Sequence, residues 1–171
     1  MCARGDEEAF LALYGQHQGA IFRFALHMSG QRETAEEVTQ EVFLSLLSES
    51  RSYLAERGDL QAYLIGMARN KVRRQIRQSR GFGNFPAEEP AIEAESLEAM
   101  SKRQETQALR KAILSLPPNY REVVVFCDLE NMDYARAAEQ LGCAIGTVRS
   151  RLHRARAILA AKLRSRERCS V

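Results

Sequence analysis

Tryptophan is absent from this chain of 171 residues, and the residues that staple or punctuate a fold are sparse: four cysteines, four prolines, ten glycines. The cysteines, Cys2, Cys127, Cys143 and Cys169, form no CxxC pair, and two lie near the chain ends. Neither a disulfide framework nor a zinc ligand set is expected, although Cys143 remains a candidate redox sensor. No run approaches the ~18 apolar residues of a membrane span. The opening MCARGDEEAF has no apolar signal core, so a cytoplasmic location is expected. Also missing are GxGxxG, a P-loop, HExxH and a supported Ser-His-Asp grouping. The chain is therefore expected to be no enzyme, with no cofactor, no metal and no small-molecule substrate. His17, on an apolar stripe, and His27, beside a helix end, read as structural.

Alternation with period two is lacking throughout, and apolar residues instead recur at spacings of three and four. The expected fold class is all-α. Each sign of charge is missing from a long stretch: no acid lies between Asp59 and Glu88, and no base between Gly81 and Ser101. The formal charge of +3 conceals this unevenness. Residues 102–171 carry 14 basic against 7 acidic side chains, while 81–101 carry five glutamates alone. With two glycines and two prolines among those glutamates, the segment reads as a flexible linker between two small helical domains. The division is residues 1–80, a linker over 81–103, and residues 104–171.

In the first domain Asp6 can cap a helix whose stripe runs Phe10, Leu13, Tyr14, His17, Ile21, Phe24, Ala25 and Met28, stopped at Gly30. Thr34 and Glu37 have capping-box spacing and predict a second helix over about 35–48, with Val38, Val42, Leu46, Phe43 and Leu47 on its apolar side. Residues 49–59 read as a loop ending at Asp59, which caps a third helix. That helix carries Leu64, Ala68, Val72 and Ile76 among the cations Arg69, Lys71, Arg73, Arg74 and Arg77. In the second domain a short helix ends at Pro117-Pro118, Tyr120 to Leu129 forms another, and Asp133 caps a third that stops at Gly142. The last begins near Ile145, with Ala144 a poor N-cap.

Ala138, Gly142 and Val148 stand at the spacing of a helix-turn-helix, which needs a small residue where the helices cross, a left-handed residue at the turn and an apolar anchor beyond it. Val148, Leu152, Ala155 and Leu159 then form a stripe to be buried. The opposite face presents Arg149, Ser150, His153 and Arg154, with Thr147 and Arg151 at its margins. Arginine suits the major groove, where a bidentate contact to guanine contributes about 1–3 kcal/mol of discrimination. Arg156, Lys162, Arg164 and Arg166 are expected to meet phosphates.

The string from Leu116 to Arg156, LPPNYREVVVFCDLENMDYARAAEQLGCAIGTVRSRLHRAR, resembles region 4 of the extracytoplasmic-function (ECF) sigma factors of bacterial RNA polymerase. DEEAFLALY, AEEVTQEVFLSLL from Ala35 and LQAYLIGMARNKVRRQIR from Leu60 resemble region 2 of the same family. The resemblance implies a promoter-specificity subunit whose partners are core RNA polymerase, promoter DNA and an anti-sigma factor, in this class often membrane-bound. It implies minus-35 duplex contacts by Thr147, Arg149, Ser150, Arg151, His153, Arg154 and Arg156. Contacts to the melted minus-10 strand would come from Tyr53, Asn70, Arg73, Arg74 and Arg77, with Tyr63 a further stacking platform or a core residue. Grip on the polymerase clamp would come from Glu37, Gln40, Glu41, Phe43 and Leu46, of which Phe43 and Leu46 suit the core equally. Thr39 and Arg136 depart from the family pattern, the latter removing a capping box behind Asp133. A stand-alone helix-turn-helix regulator with an N-terminal dimerisation or sensing domain is the alternative. The arginine cluster from Arg69 to Arg80 has little purpose in such a domain.

Overall fold

A computed structural model of the chain describes residues 7–48, 59–79 and 97–167. Asp6, the loop over 49–58 with Tyr53, and most of the 81–103 segment lie outside the described residues. All regular structure among the described residues is helical, and the chain divides into two units, residues 1–85 and 86–171.

The first unit packs three helices, α1 (Glu7–Ser29), α2 (Arg32–Ser48) and α3 (Leu60–Ser79). Their apolar stripes meet in a core of Ile21, Phe24, Ala25 and Met28 from α1, Ala35, Val38, Val42, Phe43 and Leu46 from α2, and Leu64, Ile65, Ala68 and Val72 from α3. Complete burial contributes about 1.5–3 kcal/mol for each large member. Phe43 lies edge-on to Phe10 with centroids 6.1 Å apart and tilted against Tyr14 at 4.6 Å, so three rings close one end of the bundle. His17 is buried. Thr39 is accommodated because its hydroxyl donates to the Ala35 carbonyl at 2.7 Å.

The start of α2 differs from the sequence expectation. Gly30, at φ 75°, reverses the chain at once, and the Ala35 amide donates to the Gln31 carbonyl, so α2 begins at Arg32. Thr34 is thereby drawn inside the helix, where its hydroxyl donates to Gln31 Oε1, while Glu37 accepts from Gln75 of α3. The capping box read from Thr34 and Glu37 does not form. Asp59 does cap α3, accepting from the Gln61 amide at 3.3 Å.

The second unit contains α4 (Leu97–Leu114), α5 (Pro118–Val124) running into a π-helical turn (Val125–Leu129), α6 (Tyr134–Leu141) and α7 (Ile145–Glu167). α4 starts within the 81–103 segment, because Leu97 to Gln104 are almost all good helix formers whatever their charge. Residues 121–126 are all buried, and this central segment packs against α7 and α4. Asp133 Oδ1 accepts from the amides of Ala135 and Arg136, both at 2.9 Å, so the cap holds without the capping box. Asn131 takes φ 52° in the turn before it, a conformation that asparagine tolerates.

Gly142 ends α6 at φ 62° and ψ 41°, and the next amide, of Cys143, donates to the Ala138 carbonyl. A Cβ at Gly142 would meet nothing within 4 Å, so the demand for glycine is purely one of backbone conformation. Gly142→Ala should therefore lower unfolding stability by about 1–2 kcal/mol, with Gly142→Asn less harmful, as read from denaturant midpoints.

Candidate nucleic-acid interface

The turn at Gly142 delivers α7 with one side committed. Val148, Leu152, Ala155 and Leu159 are 0–8% exposed and pack on the central segment and α6. Because these lie four, three and four residues apart, they define a single stripe. The predicted reading face is brought together on the far side: Arg149, Ser150, His153 and Arg154 are exposed, and Thr147 and Arg151 are half-buried at its margins. Ala144 gives no side-chain cap, but its carbonyl accepts from Thr147 and Val148. Ser150 donates its hydroxyl to the Thr147 carbonyl, leaving the oxygen free to accept.

Two of the arginines are held from below. The Arg149 guanidinium lies 5.9 Å from the centre of the Tyr134 ring at the start of α6. Arg156 forms a fork with Asp128 in the π turn, Nε to Oδ2 at 3.1 Å and a terminal nitrogen to Oδ1 at 2.5 Å. That hydrogen bond, followed by the carboxylate charge, raises the Arg156 pKa further above its ordinary value. Arg156 thus stands out among the arginines of the expected duplex face in having a carboxylate partner among the described residues. Sequence reasoning missed Asp128 and Tyr134; neither falls in a periodic pattern, and only the turn geometry brings them to α7.

In the first unit, Tyr63, Asn70 and Arg77 follow one another at seven-residue intervals on α3, with Arg73 and Arg74 beside them, away from Leu64, Ala68 and Val72. Asn70, Arg74 and Arg77 are exposed, whereas Tyr63 and Arg73 are half-buried. Lys71 is set apart from this face, pairing with Glu41 of α2 at 3.1 Å. On α2, Glu37, Gln40 and Glu41 are exposed. Phe43 and Leu46 are not available at the surface, being 2% and 7% exposed. The exposed apolar residues there are Leu44 at 64% and Leu47 at 48%, so Leu47, read on the apolar side of α2, lies outside the core. Among the described residues no group of three metal-ligating side chains gathers, and no helix is long and apolar enough to cross a membrane.

These two faces coincide with two recognised segments. Residues 13–82 match the profile of sigma-70 region 2, and residues 106–159 that of sigma-70 region 4. The fold and the order of the two matched regions are those of the sigma-70 class. The ECF RNA polymerase sigma factor EcfG of Rhodopseudomonas palustris is 31% identical over 140 residues, covering 82% of this chain and 77% of that protein. SigE of Mycolicibacterium smegmatis, another ECF sigma factor, is 32% identical over 167 residues, covering 90% of this chain and 62% of the relative. The chain thus spans about three fifths of the SigE length. Among solved structures, sigma factor RpoE of Bartonella quintana, in complex with the anti-sigma factor NepR, superposes with a TM-score of 0.74 at 26% identity, covering 92% of this chain and 98% of that one. CnrH, in complex with the cytosolic domain of CnrY, shares the fold with a TM-score of 0.73 at 24% identity, covering 96% and 93%. The chain belongs to the ECF sigma factor family.

Cys127 lies in the π turn beside Asp128, half-buried, and burial first, then the Asp128 charge, pushes its thiol above the ordinary range. At neutral pH it is protonated and a poor nucleophile. Alkylation of Cys127, followed by mass spectrometry across a pH series, should still be rising where an unperturbed cysteine levels off. Asp128→Asn should shift that curve to lower pH.

Proposed function

We propose that this chain is a dissociable specificity subunit of bacterial RNA polymerase, directing initiation at promoters by reading two elements in different states. The observation that carries this reading is the pair of unlike cationic faces, one per unit, within the two matched family regions. The α7 face suits an intact minus-35 duplex through Arg149, Ser150, His153 and Arg154, with Thr147 and Arg151 beside them and Arg156 at the phosphate edge. The α3 face suits an opened minus-10 strand: Asn70, Arg73, Arg74 and Arg77 would track the backbone, and Tyr63, with Tyr53 from the sequence before α3, would stack against bases.

Polymerase attachment falls to α2, through Glu37, Gln40 and Glu41, with exposed Leu44 and Leu47 supplying the apolar contact that buried Phe43 and Leu46 do not. Functionally, residues 1–80 serve attachment and the minus-10 element, 104–171 the minus-35 element, and 81–103 the tether between them. Any catalysis belongs to the polymerase, and the site of action is the cytoplasm. Control by an anti-sigma factor follows from the likeness to RpoE, solved with NepR.

Run-off transcription with purified core polymerase, with start sites mapped over a genomic fragment library, should show initiation at discrete promoters only when the chain is added. Arg74→Ala with Arg77→Ala should reduce open-complex formation on those promoters at least tenfold, while leaving duplex binding by the holoenzyme nearly intact. Tight, salt-resistant binding of the chain alone to a palindromic duplex would instead indicate an independent dimeric regulator.

A further inference from the structure

We propose that Tyr134 is a positioning residue for base readout, its ring holding the Arg149 guanidinium in the pose in which α7 presents it to a guanine. This rests on the reading of α7 as the helix that enters the duplex. Tyr134 is the first residue of α6, directly after Asp133, whose carboxylate fixes the opening turn through the amides of Ala135 and Arg136. Tyr134 is 37% exposed, and the Arg149 guanidinium carbon stands 5.9 Å from the centre of its ring, within the ~6 Å reach of a cation–π contact.

The chemistry of the pair favours readout. A guanidinium is a flat cation whose five N–H bonds all point outward in its own plane, so a ring set against its face occupies none of them. The fork that meets guanine O6 and N7 stays free. An unsupported arginine loses much of its rotamer freedom on docking to a base edge, and one already confined by a ring loses less.

A second contact keeps the first in register. Arg156 is seven residues beyond Arg149, on the same side of α7, and is gripped by Asp128 through two hydrogen bonds. One edge of α7 is thus fastened at two points about two turns apart, by an aromatic ring and by a carboxylate. Rotation of the helix about its axis would break both. Tyr134 therefore sets the direction in which Arg149 leaves the helix, and Asp128 holds the helix to which it is attached.

The test uses the full chain bound to core polymerase and a pool of duplexes randomised over the minus-35 segment, with bound molecules sequenced. The wild-type chain should enrich guanine at one column that Arg149→Ala, and Arg149→Lys with its charge kept, both erase. Tyr134→Leu should lower enrichment at that same column about two- to fivefold, the range of an exposed cation–π contact, and leave the other columns unchanged. Tyr134→Phe, which keeps the ring, should behave as wild type. Thermal unfolding of each variant separates these effects from loss of fold. Unchanged enrichment in Tyr134→Leu, an equal loss at every column, or failure of Tyr134→Phe would overturn the proposal. If the wild-type holoenzyme enriches no column, the assignment of α7 to duplex reading falls, and this proposal falls with it.

Discussion

One packing decision governs the second unit: α7 can bury only one stripe, and Val148, Leu152, Ala155 and Leu159 take it. Each is at most 8% exposed, against a central segment buried on all sides and against α6. Exposing Val148 and Leu152 together would forfeit several kcal/mol, more than any surface contact of an arginine can return. The stripe therefore sets how the helix is rotated; the cations occupy the arc it leaves, and their contacts with Tyr134 and Asp128 reinforce that setting. The αL turn at Gly142 then determines where that arc points, because it sets the crossing of α6 and α7 at the small residue Ala138.

The central segment that receives this stripe explains the run of residues from Leu116 to Val123. α4 ends at Leu114, and prolines at 117 and 118 prevent its continuation, which leaves carbonyls at its C-terminus without helical partners. Arg121, buried at 9% exposure, reaches back and donates to the carbonyls of Leu114 and Leu116, the latter at 3.1 Å. A cation at a helix C-terminus also meets the negative end of the helix dipole. The proline pair and the arginine four residues after Pro117 thus form one device: the first stops a helix, and the second satisfies its end. Leaving such carbonyls buried and unpaired would cost about 1–3 kcal/mol apiece.

Much of this was legible in the sequence, and the parts that were not share a cause. Helices declare themselves by the period of their apolar residues, so the α7 stripe and the glycine at the α6–α7 turn were readable to the residue, and most of the α1 and α3 stripes were too, although on α3 Ile65 is buried while Ile76 is only half-buried. Periodicity is silent about the arc's edges. On α2 it could not say that Phe43 tips inward to join Phe10 and Tyr14 while Leu47, four residues on, is left outside. Local signals also lose to their neighbours: the Thr34–Glu37 spacing is a good cap pattern, but the reversal at Gly30 starts α2 too early for it to act. The π turn was invisible because an extra residue per turn leaves no mark in composition. Its consequence, the meeting of Asp128 with Arg156, was therefore invisible too.

The ion pairs that were missed have the strength suited to a surface that must exchange partners. Arg156 with Asp128 and Lys71 with Glu41 have side chains 26–56% exposed, and pairs of that kind contribute about 0.2–1 kcal/mol. Neither is needed to hold its unit together, since the cores do that. Both nevertheless bias where a cation stands, and at Arg156, on the proposed reading, a phosphate can replace the Asp128 carboxylate at little expense to the fold. A deeply buried pair would be the wrong design, because breaking it would strand a charge in a medium of low polarity at several kcal/mol. The rigid part of each unit is therefore its apolar stripe, and the adaptable part is the charged rim around it. That separation lets a helix keep its orientation while its cations change partners.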